Sequence, residues 1–397
     1  MTTEHIAHAQ EDTQAAFAAP PTRRTVLRAG LGLAAGLAGA GALAPALTFA
    51  GGSPAAVDES AAAIGGFPAV VGANTGQADP QMAAVLAQLA AFHAPPLPSV
   101  TPEVARQLPT VADAVQAVQA VQAARGVAPA VEPVGRIDHI LIPGLGGQIL
   151  VRVYTPRGTG PFPVLVYFHG GGFVIANLDT YDSSARALTN AANCVVMSVA
   201  YRQAPEHKFP AAPQDAYAAL RWAQAHAATI GGDPRRVAVG GESAGGNLAT
   251  VVCLMARDRG TPQPVHQLLV YPLVSNSIKL PSYQQEATAK PLDTPSVLWF
   301  EGYYLRTPAD ALNPYVAPLQ QARSLRGLAP ATVITDQFDP LRSEGEAYAR
   351  RLRAEGVPVS ATRYNGVTHE FFTTSAVVDK AKQAVAEAAS GLRSSFR

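Results

Sequence analysis

Apolar and polar positions change period several times along the chain, and each change marks an element. Met82, Val85, Leu86, Leu89 and Ala90 recur on one face of a helix that opens at Asp79-Pro80 and stops before Pro95-Pro96. A second helical stretch opens near Thr101-Pro102-Glu103, with a capping threonine and proline at the first helical position. A third carries the triplet Ala-Val-Gln over residues 114–122. Its Val111, Val115, Val118 and Val121 share one arc, so it is an amphipathic helix and not a solenoid repeat. From Arg136 the period shortens. Residues 137–142 and 148–154 read as two strands joined by a Pro-Gly-x-Gly-Gly turn. Residues 164–168 and 194–200 are short continuous apolar runs, as expected of strands buried on both faces. Further strands fall at 237–239, 267–271, 332–336 and 359–364. Helical stretches lie between and after them at 182–192, 213–227, 247–257, 343–355 and 377–392. Such alternation predicts an α/β fold, a mostly parallel sheet flanked by helices, with the first two strands antiparallel at one edge.

The alternation breaks between Ser275 and Thr307, where Trp299, Phe300, Tyr303 and Tyr304 cluster on a helical segment, expected to line a substrate pocket, with the cap's own packing core as the alternative. This insertion, at about 275–307, and residues 77–135 are read as one helical cap above the C-terminal ends of the strands. The sheet domain then spans 136–397, and residues 51–76, rich in Gly, Ala and Pro, are a linker.

Residues 1–50 have a different character. A polar, Ala-rich start leads to Thr22-Arg23-Arg24-Thr25-Val26-Leu27-Arg28, then an uncharged Ala/Gly/Leu run to about Ala46. The stretch resembles a twin-arginine export signal, with small-residue cleavage sites after Ala46 or Ala50. An uncleaved anchor is the alternative, but the glycines and Pro45 make a poor spanning helix. The expectation is a periplasmic or secreted protein with no stable membrane span after processing.

Composition narrows the rest. Apolar residues are 48% and charged ones 15%, which fits a folded chain and not a disordered one. A net charge of +1, without a basic run interleaved with aromatics, argues against nucleic acid as a partner. Two cysteines, Cys194 and Cys253, provide neither metal spacing nor a redox motif. They read as buried thiols, with a disulfide as the alternative in an exported chain. Nothing calls for a metal or organic cofactor, and a homodimer is compatible with the sequence.

The chemistry gathers at Gly241-Glu242-Ser243-Ala244-Gly245, a G-x-S-x-G between a strand and a helix. A nucleophilic serine needs such a sharp turn to expose its oxygen, and glycines let strand and helix approach. A serine used this way needs a base, a group orienting the base, and donors for an oxyanion. His169-Gly170-Gly171-Gly172 follows a buried strand and offers backbone N–H groups unobstructed by Cβ atoms. Only His266 and His369 follow Ser243. His266 opens a strand at the wrong end of the sheet, while His369 closes a polar loop after the last strand, where a base belongs. Asp339, at the turn before Pro340, is the better orienting acid; Asp336 is the alternative. Glu344 and Glu346, on the next helix's first turn, fit a role toward its dipole.

Taken together, these motifs and Tyr201-Arg202-x-Ala204-Pro205-Glu206-x-x-Phe209-Pro210-Ala211-Ala212 make the chain from Asp79 onward resemble bacterial hormone-sensitive-lipase-like esterases of the α/β-hydrolase superfamily. The resemblance implies an α/β-hydrolase fold with a helical cap and a serine carboxylesterase acting on a small-molecule ester of short to medium chain length. It carries Ser243 over as nucleophile, His369 as base and Asp339 as acid, with the N–H groups of Gly171, Gly172 and Ala244 as oxyanion donors. The 201–212 stretch then shapes a loop beneath the site. Two departures stand out: Glu242 where Asp is frequent, and Glu370 after the histidine, where glycine is common. The Glu370 side chain is expected to turn toward solvent, with contact to substrate or to His369 as the alternative. A lipase or polyester hydrolase would need an open apolar groove, which the cap disfavours. A non-catalytic receptor on this scaffold, as in plant gibberellin receptors, lacks the histidine that is present here.

Overall fold

The computed structural model describes residues 68–128 and 132–397. The expected export signal and most of the linker lie outside them. Among the described residues nine strands form one sheet: β1 (Ala69–Val71), β2 (Arg136–Gly144), β3 (Gly147–Thr155), β4 (Phe162–Phe168), β5 (Val195–Val199), β6 (Gly232–Glu242), β7 (Gln267–Val270), β8 (Ala331–Phe338) and β9 (Val359–Thr368). Their order is β1-β9-β8-β7-β6-β4-β5-β3-β2. Every pairing is parallel except β2–β3 and β3–β5. The burial follows the pairing. All five residues of β5 are buried, as a strand covered on both faces requires, whereas β3 near the edge buries Ile149, Val151 and Val153 on alternate positions.

The helices are α1 (Pro80–Ala91), α2 (Pro102–Ala105), α3 (Val111–Ala124), α4 (Asp182–Ala192), α5 (Ala211–His226), α6 (Ala244–Asp258), α7 (Pro281–Gln285), α8 (Thr294–Tyr304), α9 (Pro318–Gln321), α10 (Arg342–Ala354) and α11 (Asp379–Ser395). Successive residues of β4 feed two cores. Val164, Val166 and Phe168 join apolar residues of α5, α6, α8 and α10, while Leu165 and Tyr167 join those of α1, α3, α4 and α11. Helix α3 is started by a capping box in which Thr110 and Asp113 satisfy each other's backbone N–H groups.

Two features differ from the sequence pattern. Residues 69–71, inside the expected linker, are a strand that extends the sheet by pairing with Thr362–Tyr364 of β9. The irregular stretch between β7 and β8 runs past Thr307 through α9 to Pro330, longer than the aromatic cluster alone marks. Helix α6 starts at Ala244, directly behind the turn at Ser243 as expected. Among the described residues, Cys194 and Cys253 are buried free thiols, and no helix is long and apolar enough to cross a membrane.

Candidate active site

Strand β6 delivers Ser243 to the C-terminal edge of the sheet. The turn into α6 is tight enough to put Ser243 at φ 57° and ψ −118°, a conformation costly for any residue with a side chain. Surrounding bonds hold it there: Ser243 N–H donates to Val270 O at 2.9 Å, and Ser243 O accepts from Asn247 N at 3.1 Å and Leu273 N at 3.2 Å. Gly245 is fixed by closeness, since a Cβ there would overlap the carbonyl oxygen of Phe168 on β4. Any side chain would push the helix away from the strand.

Strands β8 and β9 bring the partners. His369, one residue past β9, lies with Nε2 3.0 Å from Ser243 Oγ and Nδ1 2.8 Å from Asp339 Oδ2. Asp339 Oδ1 accepts from Leu341 N–H at 2.8 Å, so both its oxygens are anchored. All three side chains are buried. Burial alone would favour neutral His369, but the Asp339 carboxylate, with smaller contributions from Glu370 and Glu242, raises its pKa above the ordinary value. Ser243 at one ring nitrogen and a carboxylate at the other is an arrangement that can take a proton from the hydroxyl and stabilise the resulting imidazolium. Oxygens of Asp336 and Asp339 and a ring nitrogen of His369 lie within 4.8 Å of one another. Within this group His369 Nδ1 and Asp339 Oδ2 are bonded to each other, as in a histidine oriented by a carboxylate.

The H-G-G-G loop lines the other side. His169 is buried, stacks on Tyr201 at 4.5 Å, and its Nδ1 lies 2.7 Å from Gly170 O. Burial lowers its pKa to about 4, so it is a neutral strut. The Tyr201 hydroxyl donates to His169 O at 2.9 Å. Gly171 and Gly172 take φ 97° and 58°, and their N–H groups, with that of Ala244 at the first turn of α6, donate to no described residue. The rest of the 201–212 stretch braces this loop. Arg202 forms a two-pronged pair with buried Asp215, and Arg106, from the segment after α2, donates to Val174 O, Ala204 O and Glu206.

The aromatic cluster divides. Phe300 covers Gly172, where a Cβ would overlap its ring. Trp299 Nε1 donates to Val100 O at 3.2 Å, joining α8 to the N-terminal segment, and Tyr303 meets its ring edge-on at 4.8 Å. Tyr304 stacks on Phe173 at 3.8 Å and is spent on packing. His266 is distant in role, held between Ser395 and Thr332 hydroxyls at 3.0 Å each.

Several carboxylates behave differently from the sequence expectation. Glu370 does not simply turn to solvent: it is half-buried, accepts from Tyr181 OH at 3.3 Å, and adds charge beside His369. Its φ of 66° is the physical reason glycine suits this position. Glu344 is fully buried and accepts from Val274 N–H at 2.6 Å, Ser275 N–H at 3.3 Å and Tyr283 OH at 2.9 Å. It anchors the chain leaving β7 and is not a surface partner of the α10 dipole. Glu346 pairs with Arg363 at 2.6 Å. Glu242 accepts from the hydroxyls of Tyr167 (2.5 Å) and Tyr271. Burial pushes its pKa up to about 7 against those two donors.

Comparison with known proteins places the chain in a family. The family described as alpha/beta hydrolase fold matches residues 165–373. Carboxylic ester hydrolase LipN of Mycobacterium tuberculosis is 45% identical over 241 residues, 59% of this chain and 64% of LipN, so the match spans just under two thirds of that relative's length. Carboxylesterase NlhH of the same organism is 39% identical over 290 residues, 72% of this chain and 90% of NlhH. Among solved structures, a Pyrobaculum calidifontis esterase superposes with a TM-score of 0.70 at 39% identity, covering 80% of this chain and 98% of that one.

Proposed function

The chain is a carboxylic ester hydrolase of the hormone-sensitive-lipase-like family of α/β-hydrolases, and from that premise we propose that Ser243 is its nucleophile, His369 its general base and Asp339 the acid orienting the base. The observation that carries this reading is the pair of bonds on one imidazole, 3.0 Å to Ser243 Oγ and 2.8 Å to Asp339 Oδ2. Ser243 Oγ attacks the ester carbonyl as its proton passes to His369 Nε2. The carbonyl oxygen gains the negative charge and is held by the N–H groups of Gly171, Gly172 and Ala244, worth about 3–4 kcal/mol for each such donor. Collapse expels the alcohol, which takes the proton from His369, and leaves an acyl ester on Ser243. Water then gives a proton to the same nitrogen and attacks; breakdown returns that proton to Ser243 and frees the acid. Asp339 stays ionised throughout and stabilises the imidazolium.

The preferred substrates are esters of short to medium acyl chains. Support comes from the insertion between β7 and β8, whose Phe300 packs over Gly172 of the H-G-G-G loop. Assay of p-nitrophenyl acetate, butyrate and palmitate tests this. Turnover highest on the shorter two supports it; highest turnover on palmitate would favour a lipase.

We also propose that the enzyme is exported by the twin-arginine route. The reading is supported by Arg23-Arg24 and the following uncharged run.

A further inference from the structure

Asp336 lies on β8, three residues before Asp339, and is completely buried. Neither of its carboxyl oxygens receives an N–H or O–H from any described residue. An ionised carboxylate left bare in a protein interior is far more costly than a neutral acid. A carboxyl oxygen of Asp336, one of Asp339 and a ring nitrogen of His369 fall within 4.8 Å of one another. The His369 Nδ1–H is given to Asp339. Arg342, on α10, directs its guanidinium to Gln337 O, Gln285 and Glu286, so its charge is shared before it reaches Asp336. Two neighbouring carboxylates cannot both keep full charge in such a site, and one of them must stay ionised to face the imidazole. Asp339 is that one, because it holds the Leu341 N–H and the His369 N–H.

We propose that Asp336 is a neutral carboxylic acid whose O–H donates a hydrogen bond to the Asp339 carboxylate, making Asp336 a positioning residue for the acid of the triad. The surroundings agree in direction: burial first, then the negative charge of Asp339, push the Asp336 pKa well above the ordinary carboxyl range, with Glu286 adding to the rise and Arg342 opposing it. Asp339 then accepts three bonds, from Leu341, His369 and Asp336. The third bond fixes its plane against the imidazole and withdraws some of its negative charge. The proton stays on Asp336 through the cycle, and no bond to it breaks. This inference rests on the assignment of Asp339 as the orienting acid, and it goes beyond that assignment by giving the acid a donor of its own.

The test pairs Asp336→Asn, which keeps a donor of similar size, with Asp336→Leu, which removes it. The infrared difference spectrum of wild type against Asp336→Asn at neutral pH should show the C=O stretch of a protonated carboxyl that the variant lacks. Asp336→Asn should keep kcat within about threefold and leave the acid limb of kcat/KM in place, because the donor survives. Asp336→Leu should lower kcat about 10- to 100-fold, the scale of a small misplacement of a catalytic group. Its acid limb should move to higher pH, since an Asp339 relieved of a donor stabilises the imidazolium more. An ionised Asp336 gives the opposite pattern: carboxylate bands alone in the difference spectrum, and an acid limb moved to lower pH in Asp336→Asn. Either result overturns the proposal. The infrared and Asp336→Asn arms stand if the leucine variant does not fold. The infrared band also reports Asp336 independently of turnover, so a failure of the triad assignment, seen as full activity in Asp339→Asn, is distinguishable.

Discussion

The ring of Phe300 on α8 covers Gly172 in the H-G-G-G loop so closely that any Cβ at Gly172 would overlap it. Gly172 has φ 58°, so alanine there is disfavoured by backbone and neighbour alike. Gly172→Ala should therefore lower kcat by about 10²–10³-fold, the cost of a disturbed oxyanion donor. Phe300→Ala should leave the chemistry in place and admit longer acyl chains, because an apolar wall discriminates by about 1–3 kcal/mol per methylene. Rates over an ester series from acetate to palmitate check both. An unchanged chain-length profile in Phe300→Ala would make that ring a packing residue only.

Asp339→Asn should reduce kcat about 10⁴-fold with the fold intact, since the amide cannot stabilise the imidazolium. Ser243→Ala and His369→Ala should each cost about as much as the two together, because the residues act as one unit. Kinetic comparison of the single and double variants decides this; losses that multiply would contradict a shared role.

With His369 as the proposed base, activity should follow its neutral fraction. Its pKa is raised, so kcat/KM falls as pH drops through a value above the ordinary imidazole range. Glu370 contributes negative charge that favours the imidazolium. Glu370→Gln should accordingly move the acid limb to lower pH, by up to about one unit. A limb that stays in place would mean that the imidazole does not feel this carboxylate.

Replacing Arg23 and Arg24 together by lysine keeps the charge and should leave uncleaved precursor in the cytoplasm. Cell fractionation and N-terminal mass measurement provide the readout. Normal export of that variant would point to the general secretory route.

The parallel core and the Ser-His relation were legible in the sequence because both rest on local signals. Runs such as Val164–Phe168 have no polar interruption, and Ser243 and His369 each close a strand. Strand β1 was not, since Ala69–Val71 carries no alternation and becomes a strand only through its register with β9. Gly245 and Gly246 in the first turn of α6 are poor helix formers, and their place is set by contact with β4 and Pro272. Glu344 reads as a surface residue from its helix position, and only the return of Val274 and Ser275 onto α10 makes it a buried acceptor. The sequence offers Asp336 and Asp339 as competitors for one role. The fold brings them to one place, with His369 bonded to Asp339 alone.

The most direct test of the account is covalent trapping with a p-nitrophenyl phosphonate ester, followed by peptide mass mapping. The account predicts one phosphonyl group per chain, on Ser243, released with one equivalent of p-nitrophenol, and labelling slowed by about 10³-fold or more in His369→Ala. A label on any other residue, or an unchanged labelling rate in His369→Ala, would contradict it.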